Sequence, residues 1–541
     1  MAANIKNIIA QNKYLSGING NWRSYWQDIA DFCLPRKAWV DTIKTTGERI
    51  KYNFLYDSVA IRGLQTMASG FHSNLTNPST KFFEIRLRNP KAMKKHAVWL
   101  WCHEVTEIIF NALNPSNFDT TAQEFYTDSG AFGTGCILTQ EDLHEKVRYT
   151  SVPVEQINIE EDANGRVCAV YRNFKLQPIQ AYMLWGNNAG KNVLEMIKEE
   201  HYFTEPGLDF LHYVGPRERR DFTKRDNLNM PYESVWINVK EEHLIKESGF
   251  KRFPYQVGRF WKHALDPFGF SPAMNVLADI KLINAGKRTW MRRAMKETDP
   301  AIGVPYKGWM APINMNPTAT NYYDLKVGPD SLRYLSPTGT FSIAQEFLAE
   351  IKEAIEQGFF VPLFRTLSDV NKNMTVPEVQ RRIAENMGLL GPVIGRFIHE
   401  VWSPLIFSTF DILWEAGAIP PAPPEIEGED MDIIYLSTLA RAQRMSEMQP
   451  IGNFLQVVGQ MAQIKPEILD KVDEDKTVDV IADLMSVTPE ILRSEEVVKQ
   501  IREARKAEQQ QQLQLMKLEQ ASKIAKQGAD ANKSMQEAGA K

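Results

Sequence analysis

The sequence predicts a mainly helical α+β chain divided into several subdomains, and three observations carry that reading. Apolar residues recur at three- and four-residue steps over most of the chain. Between about Tyr126 and Phe260 the pattern changes to short strand-like runs punctuated by Gly and Asn. A Pro/Gly/Asn-rich insert then separates two amphipathic helices, and one unusually long helix follows. At 541 residues the chain is too long for one compact core.

Residues 1–80 read as helical. Ile5, Ile8 and Ile9 open one segment, Trp22 to Phe32 forms another, and Ser58 to Leu75 carries Val59, Leu64, Met67 and Phe71 on one face. Their aromatics are expected in the core. Lys81–Arg88 alternates Phe83, Ile85 and Leu87 with Glu84, Arg86 and Arg88, the period of a half-buried strand. Lys91 to Leu113 reads as one helix stopped by Asn114-Pro115. Strands are then expected at Val147–Val154, Val167–Phe174, His201–Thr204 and Val235–Val239, with Asn164-Gly165 as a hairpin turn. Everything to about residue 260 is expected to form one α+β body.

The first of the paired helices spans Pro272 to about Glu297, with Pro at its start and Asp299-Pro300 past its end. Lys281, Arg288, Arg292 and Lys296 lie within roughly 80° of one another on its outer face. The second runs from about Phe341 to Gln357 and stops at Gly358. Its Glu346, Glu350 and Glu353 share roughly a 60° arc opposite Phe347, Leu348, Ile351 and Ile355. A basic face and an acidic face on paired helices suit subunits packed side by side in a ring. The insert Asp299–Thr340 suits a small β/loop subdomain at the tip of the hairpin.

A polar loop, Arg365 to Met374, leads to Thr375-Val376-Pro377, a helix start with Thr as N-cap. That helix runs to Gly417, and Gly391-Pro392 and Ser403-Pro404 are expected to kink it, because each Pro removes a donor and crowds the preceding turn. Tyr435–Met485 is helical again, and Thr488-Pro489 opens a short helix. From residue 494 the composition shifts to Gln, Lys and Glu, consistent with a polar helix or a disordered tail.

The net charge of −4 argues against a protein that coats nucleic acid, but not against one through which DNA slides. Four scattered cysteines fit small buried side chains in a reducing compartment. No apolar run is long enough to span a membrane. Gly130-Ala-Phe-Gly-Thr-Gly135 is similar to a dinucleotide loop only superficially, since its spacing is wrong. His103-Glu104 and His399-Glu400 begin a zinc-protease pattern whose second His is missing. No catalytic, metal or cofactor site is expected.

The run from Asn373 to Ile426, "NMTVPEVQRRIAENMGLLGPVIGRFIHEVWSPLIFSTFDILWEAGAIPPAPPEI", resembles the portal, or head-to-tail connector, proteins of short-tailed bacteriophages. So do Trp22–Pro35, Tyr56–Leu87, Phe268–Asn284 and Tyr435–Arg444, in the family's order. The resemblance implies a portal architecture: wing 1–265, stem helices 266–298 and 341–363 flanking a clip 299–340, a tunnel loop 364–376, a long kinked wing helix 377–428, a crown 429–500 and a tail 501–541. It implies a homo-oligomeric ring, dodecameric in relatives, at one capsid vertex of a virion assembled in the host cytoplasm. Double-stranded DNA would pass through the channel during packaging and ejection. The terminase large subunit and then tail adaptor proteins would dock at the clip, and the major capsid and scaffolding proteins would surround the ring. Asn371, Lys372 and Asn373 would lie nearest DNA. The basic stem face would either approach DNA phosphates or, as preferred, pair with Glu346, Glu350 and Glu353 of a neighbouring subunit. The competing classes are a DNA-processing enzyme such as a nuclease and a scaffolding-type capsid protein.

Overall fold

A computed structural model describes residues 5–37, 40, 55–93, 95–142, 145–204, 207–224, 226–264, 266–303, 306–307, 309–310, 312–314, 320–326, 333–335, 342–368, 390–426, 428–436, 450–461, 472–484, 497–512, 514, 516 and 523. The chain divides into two compact units. One comprises Met1–Phe83, Glu107–Ile419 and Tyr435–Ala440; the other comprises Glu84–Thr106, Pro420–Ile434 and Arg441–Lys541.

The first unit begins with helices α1 (Ile5–Ile18), α2 (Gly20–Cys33) and α3 (Val59–Leu75). Strand β1 (Phe83–Leu87) shows the expected alternation of buried and half-buried residues. The single helix expected over Lys91 to Leu113 is two, α4 (Pro90–Met93) and α5 (His96–Leu113). Helix α6 (Phe118–Phe132) then occupies ground where strands were expected from Tyr126 onward. It is buried on nearly every side in its second half, so no amphipathic stripe marks it. Gly133 ends it in the left-handed region at φ 77°, and a Cβ there would sit 2.1 Å from the Gly269 carbonyl oxygen. The Gly130–Gly135 run is thus a helix end and strand start.

Strands β2 (Thr134–Asp142) and β3 (Lys146–Val152) pair antiparallel, and β2 also pairs with β9 (Tyr255–Arg259). A second antiparallel sheet runs in chain order through β4 (Ile157–Glu161), β5 (Val167–Leu176), β6 (Leu208–Pro216), β7 (Tyr232–Asn238) and β8 (His243–Phe250). The expected Asn164-Gly165 turn joins β4 to β5. Residues 201–204 form no strand; Asn187–Gly190 joins helices α7 (Pro178–Trp185) and α8 (Lys191–Lys198) rather than strands. One face of this sheet buries Ala169, Tyr171, Leu211, Val235 and Ile237 under Ile8 of α1. The other face packs Phe210 and Ile245 against α7 and α8.

Helices α9 (Pro272–Asn275) and α10 (Leu277–Thr298) replace the single helix expected from Pro272, with the break at Val276. Strands β10 (Ala301–Gly303) and β11 (Arg333–Leu335) pair antiparallel, and α11 (Ser342–Gly358) returns alongside α10. Helix α12 (Val361–Ser368) covers 364–368, the start of the segment 364–376 that was expected to be a loop. Asn371, Lys372 and Asn373 lie outside the described residues.

Residues 390–415 are helical with a π turn at Ile398–Trp402. Pro404 explains the turn's position. It has no N–H to offer, and the Ser403 N–H reaches back to the Ile398 carbonyl in the wider π pattern. The turn buries Phe397, Val401 and Trp402. Phe125 stacks edge-on to Phe397 at 5.3 Å and to Trp402 at 5.4 Å, and Phe71 lies 5.4 Å from Phe364. Cys33, Cys102 and Cys136 are buried, and burial pushes each thiol up to about 12.

In the second unit β1 pairs with β12 (Met431–Tyr435), and the Ile85 N–H donates to the Thr106 hydroxyl. Segment Glu84–Thr106 belongs to this second unit. Residues 450–461, Glu474–Leu484 and 497–512 are helical, and Arg502 binds both oxygens of Asp475 at 2.6 Å. The start expected at Thr488-Pro489 lies outside the described residues.

His212 on β6 is fully buried, with Nδ1 2.6 Å from the Tyr255 hydroxyl, Nε2 2.9 Å from the Ser234 hydroxyl and its ring stacked on Trp236 at 3.7 Å. Burial holds its pKa well below the usual histidine value. The folded state therefore keeps it neutral, while the unfolded chain takes up a proton below about pH 6.5. Its stabilising contribution is present above that pH and is lost as pH falls. In urea titrations, the stability gap between the parent and His212→Asn should narrow by roughly 1 kcal/mol from pH 7.5 to 5.5; a gap independent of pH would mean that His212 is not held neutral.

Candidate functional site: the helical hairpin and its base

The hairpin starts from a built cap. The Ser271 hydroxyl accepts from the Met274 N–H at 3.0 Å and donates to the Ala131 carbonyl at 2.7 Å, which ties the helix start to α6. Trp22 and Trp26 of α2 close on Phe268 and Phe270 just before the cap, with ring centroids 4.9–6.0 Å apart. The buried Asn284 side-chain Oδ1 accepts from the Tyr56 and Asp57 N–H groups at 2.8 and 3.1 Å. Asp57 in turn accepts from the Val59 N–H, the first residue of α3, and binds Lys287 with its other oxygen. Its side chain is only 4% exposed, so this pair fixes segment 56–57 against α10.

Close backbone approach sets the pairing of α10 and α11. A Cβ on Gly286 would come 2.8 Å from Leu348, and one on Gly358 would come 2.2 Å from Val276. Only glycine fits at these positions without displacing its neighbour. The two contacts define an antiparallel register in which Lys281 lies level with Glu353 and Arg288 with Glu346. Arg292 lies about one turn nearer the tip than Glu346, and Lys296 about two turns.

The predicted charged residues are not all alike. Lys281 is held by Asp28 of its own chain at 2.8 Å. The Arg288 guanidinium lies 5.9 Å from the Tyr56 ring centroid. Arg292, Lys296, Glu346, Glu350 and Glu353 are exposed. The structure brings no stem cation into an ion pair with Glu346, Glu350 or Glu353 of the same chain among the described residues.

The base of the hairpin holds a group that sequence reasoning missed. Arg259 closes β9, 12 residues before Ser271, and is 2% exposed. Its guanidinium binds Glu161 from the end of β4 and both oxygens of Glu400 from the π turn, with 2.6 Å to the nearer one. It also donates to the Gly165 carbonyl at 3.1 Å. Lys262 joins Glu161 and the same carbonyl. The Glu400 of the incomplete zinc pattern is therefore an arginine partner. Separations of 98 and 141 residues leave no local signal for this cluster.

Comparison with known proteins bears on this architecture. Residues 6–492 match the family described as "Bacteriophage head to tail connecting protein". The chain belongs to that family. It is 29% identical over 515 residues to a "Probable portal protein" of Bordetella phage BPP-1, covering 94% of this chain and 91% of that one. It is 28% identical over 522 residues to the "Portal protein" of Salmonella phage epsilon15, covering 95% and 93%. A chain from the virion of the native gene transfer agent particle covers 76% of this connector and 90% of its own length, at 11% identity and a TM-score of 0.33. The expected portal, or head-to-tail connector, family is thus borne out, as is the mainly helical α+β fold class. Among the described residues, no helix of this connector is long and apolar enough to cross a membrane.

Arg259→Met removes the cation, leaves the mostly buried Glu400 without its partner and leaves Glu161 with Lys262 alone. About 3 kcal/mol should be lost, the cost of stranding buried charge, read as a lower urea midpoint by tryptophan fluorescence. An unchanged midpoint would remove Arg259 from its structural role.

Proposed function

We propose that the chain is a phage portal protein: copies close into a ring at one capsid vertex, and double-stranded DNA passes through it during packaging and ejection. The observation that carries the reading is the family match across 487 residues, 6–492, which includes the whole hairpin and its base. The role is structural. The terminase large subunit would dock at the hairpin tip, 299–340, during packaging, and tail adaptors would follow. Residues 1–265 and 377–428 would form the wing and 429–500 the crown, with the major capsid and scaffolding proteins around them and assembly in the host cytoplasm.

The hairpin's charges fit lateral packing. In a closed ring every copy stands at the same height, so Arg288 of one copy is level with Glu346 of the next. We assign these two as a cross-subunit pair. Lys281 has its own Asp28, which supports a smaller role at the interface. Arg292 and Lys296 stand beyond the level of Glu346, and they carry the DNA-facing reading of the basic stripe. Asn371, Lys372 and Asn373 are the proposed tunnel-loop contacts.

Negative-stain images of the purified protein should show rings, and monomers under every condition would end the portal reading. Arg288→Glu should weaken assembly, and adding Glu346→Arg should restore it in part, most clearly at low salt; equal assembly by all three proteins would dismiss the pair. Lys372→Ala should slow packaging in an in vitro assay, and parent-like packaging and ejection would discard that side chain.

A further inference from the structure

The hairpin carries an apolar knob on one flank and an apolar socket on the other, at the same level. The socket is a cavity of about 490 Å³ lined by Tyr56, Lys287, Trp290, Met291 and Leu348. Trp290 is 40% exposed and Met291 37%, an unusual amount of apolar surface for adjacent positions on one helix. Its wall is stiff, because Tyr56 and Asp57 are bonded to Asn284 and Asp57 is paired with Lys287.

The knob is Phe347, 51% exposed on α11. Ile351 and Ile355 mark the buried side of that helix. Phe347 projects to one side of their direction and Leu348 to the other, since successive residues are about 100° apart. Leu348 lines the socket, so Phe347 points away from it. The register set by Gly286 and Gly358 puts Phe347 level with Lys287, at the base-side end of the socket, with Trp290 and Met291 up to about one turn nearer the tip.

We infer that Phe347 of each copy enters the Tyr56–Lys287–Trp290–Met291 socket of the next copy. The inference rests on the portal reading, which supplies the ring. A head-to-tail ring needs two different, complementary patches on each subunit, and it places equal heights side by side. Charge agrees with the same occupant. Glu346, next to the knob, meets the level of Arg288, next to the socket, so the apolar contact has a complementary polar rim.

Mass photometry across a dilution series tests the contact. Phe347→Ala should raise the concentration at which half the chains are in rings by at least about tenfold, the effect of losing an interface anchor. Trp290→Ala should do the same, and the double variant should be little worse than the worse single one, because both remove the same contact. A second measurement is independent of packing losses. The F347C/M291C double variant, treated with a bismaleimide linker spanning about 10 Å, should give a ladder of covalent oligomers on a denaturing gel, which neither single variant gives; the linker covers the one-turn offset that a direct disulfide would not. Rings from the parent with single variants that assemble at the parent's concentration, or with a double-cysteine variant that yields only the monomer band, would overturn the socket while leaving the portal reading intact. A parent that forms no ring would overturn both.

Discussion

The Arg259 guanidinium holds together the junction from which the hairpin springs. Two pieces of chain distant in sequence converge on it: the end of β4 with the turn that follows, and the π turn. Burying a cation is costly, and only a full set of acceptors compensates for it. Here two carboxylates and a backbone carbonyl supply them. The net gain over apolar packing is small by this reasoning, yet the directional demand is large. A guanidinium satisfied from several sides fixes the angle at which each element meets β9. The chain leaves β9 and reaches the Ser271 cap within 12 residues, so that angle is inherited by α10.

Above this base the hairpin is held by close approach rather than by charge. Gly286 and Gly358 let α11 settle against α10, and the Asn284, Asp57 and Lys287 bonds fasten α10 to the start of α3. Lys281 and Lys287, near the base, are tied to aspartates of other elements of their own chain. The exposed carboxylates of α11 lie on the outward arc. A hairpin that buries only part of its apolar surface against the body, and leaves Trp290, Met291 and Phe347 exposed beside its charges, is built to meet copies of itself.

The sequence made some of this legible and hid the rest for physical reasons. Hairpin boundaries were readable because Ser271-Pro272 and Gly358 carry start and stop chemistry that acts locally. Strand β1 and the Asn164-Gly165 turn were readable for the same reason. Helix α6 was not, because its second half is buried on nearly every side and shows no stripe. Strands β6, β8 and β9 lacked the clean alternation of a half-exposed sheet; in β9 all five residues are buried. For the charged site residues, types and faces were legible but partners were not. Nothing near Lys281 points to Asp28, 253 residues away. The break at Val276 was likewise invisible, since Val is permitted in a helix.

Charge accounts for how such a hairpin could line a conduit without gripping what passes. Each phosphate held tightly by a cation must be released before the duplex can advance, and several such contacts multiply the barrier. A channel wall therefore works best when most of its cations already have partners. Lys281 and Lys287 are occupied by aspartates of their own chain, and Arg293 by Glu297. With Arg288 assigned to a neighbour's Glu346, Arg292 and Lys296 are the α10 cations that the proposed ring leaves to meet phosphate.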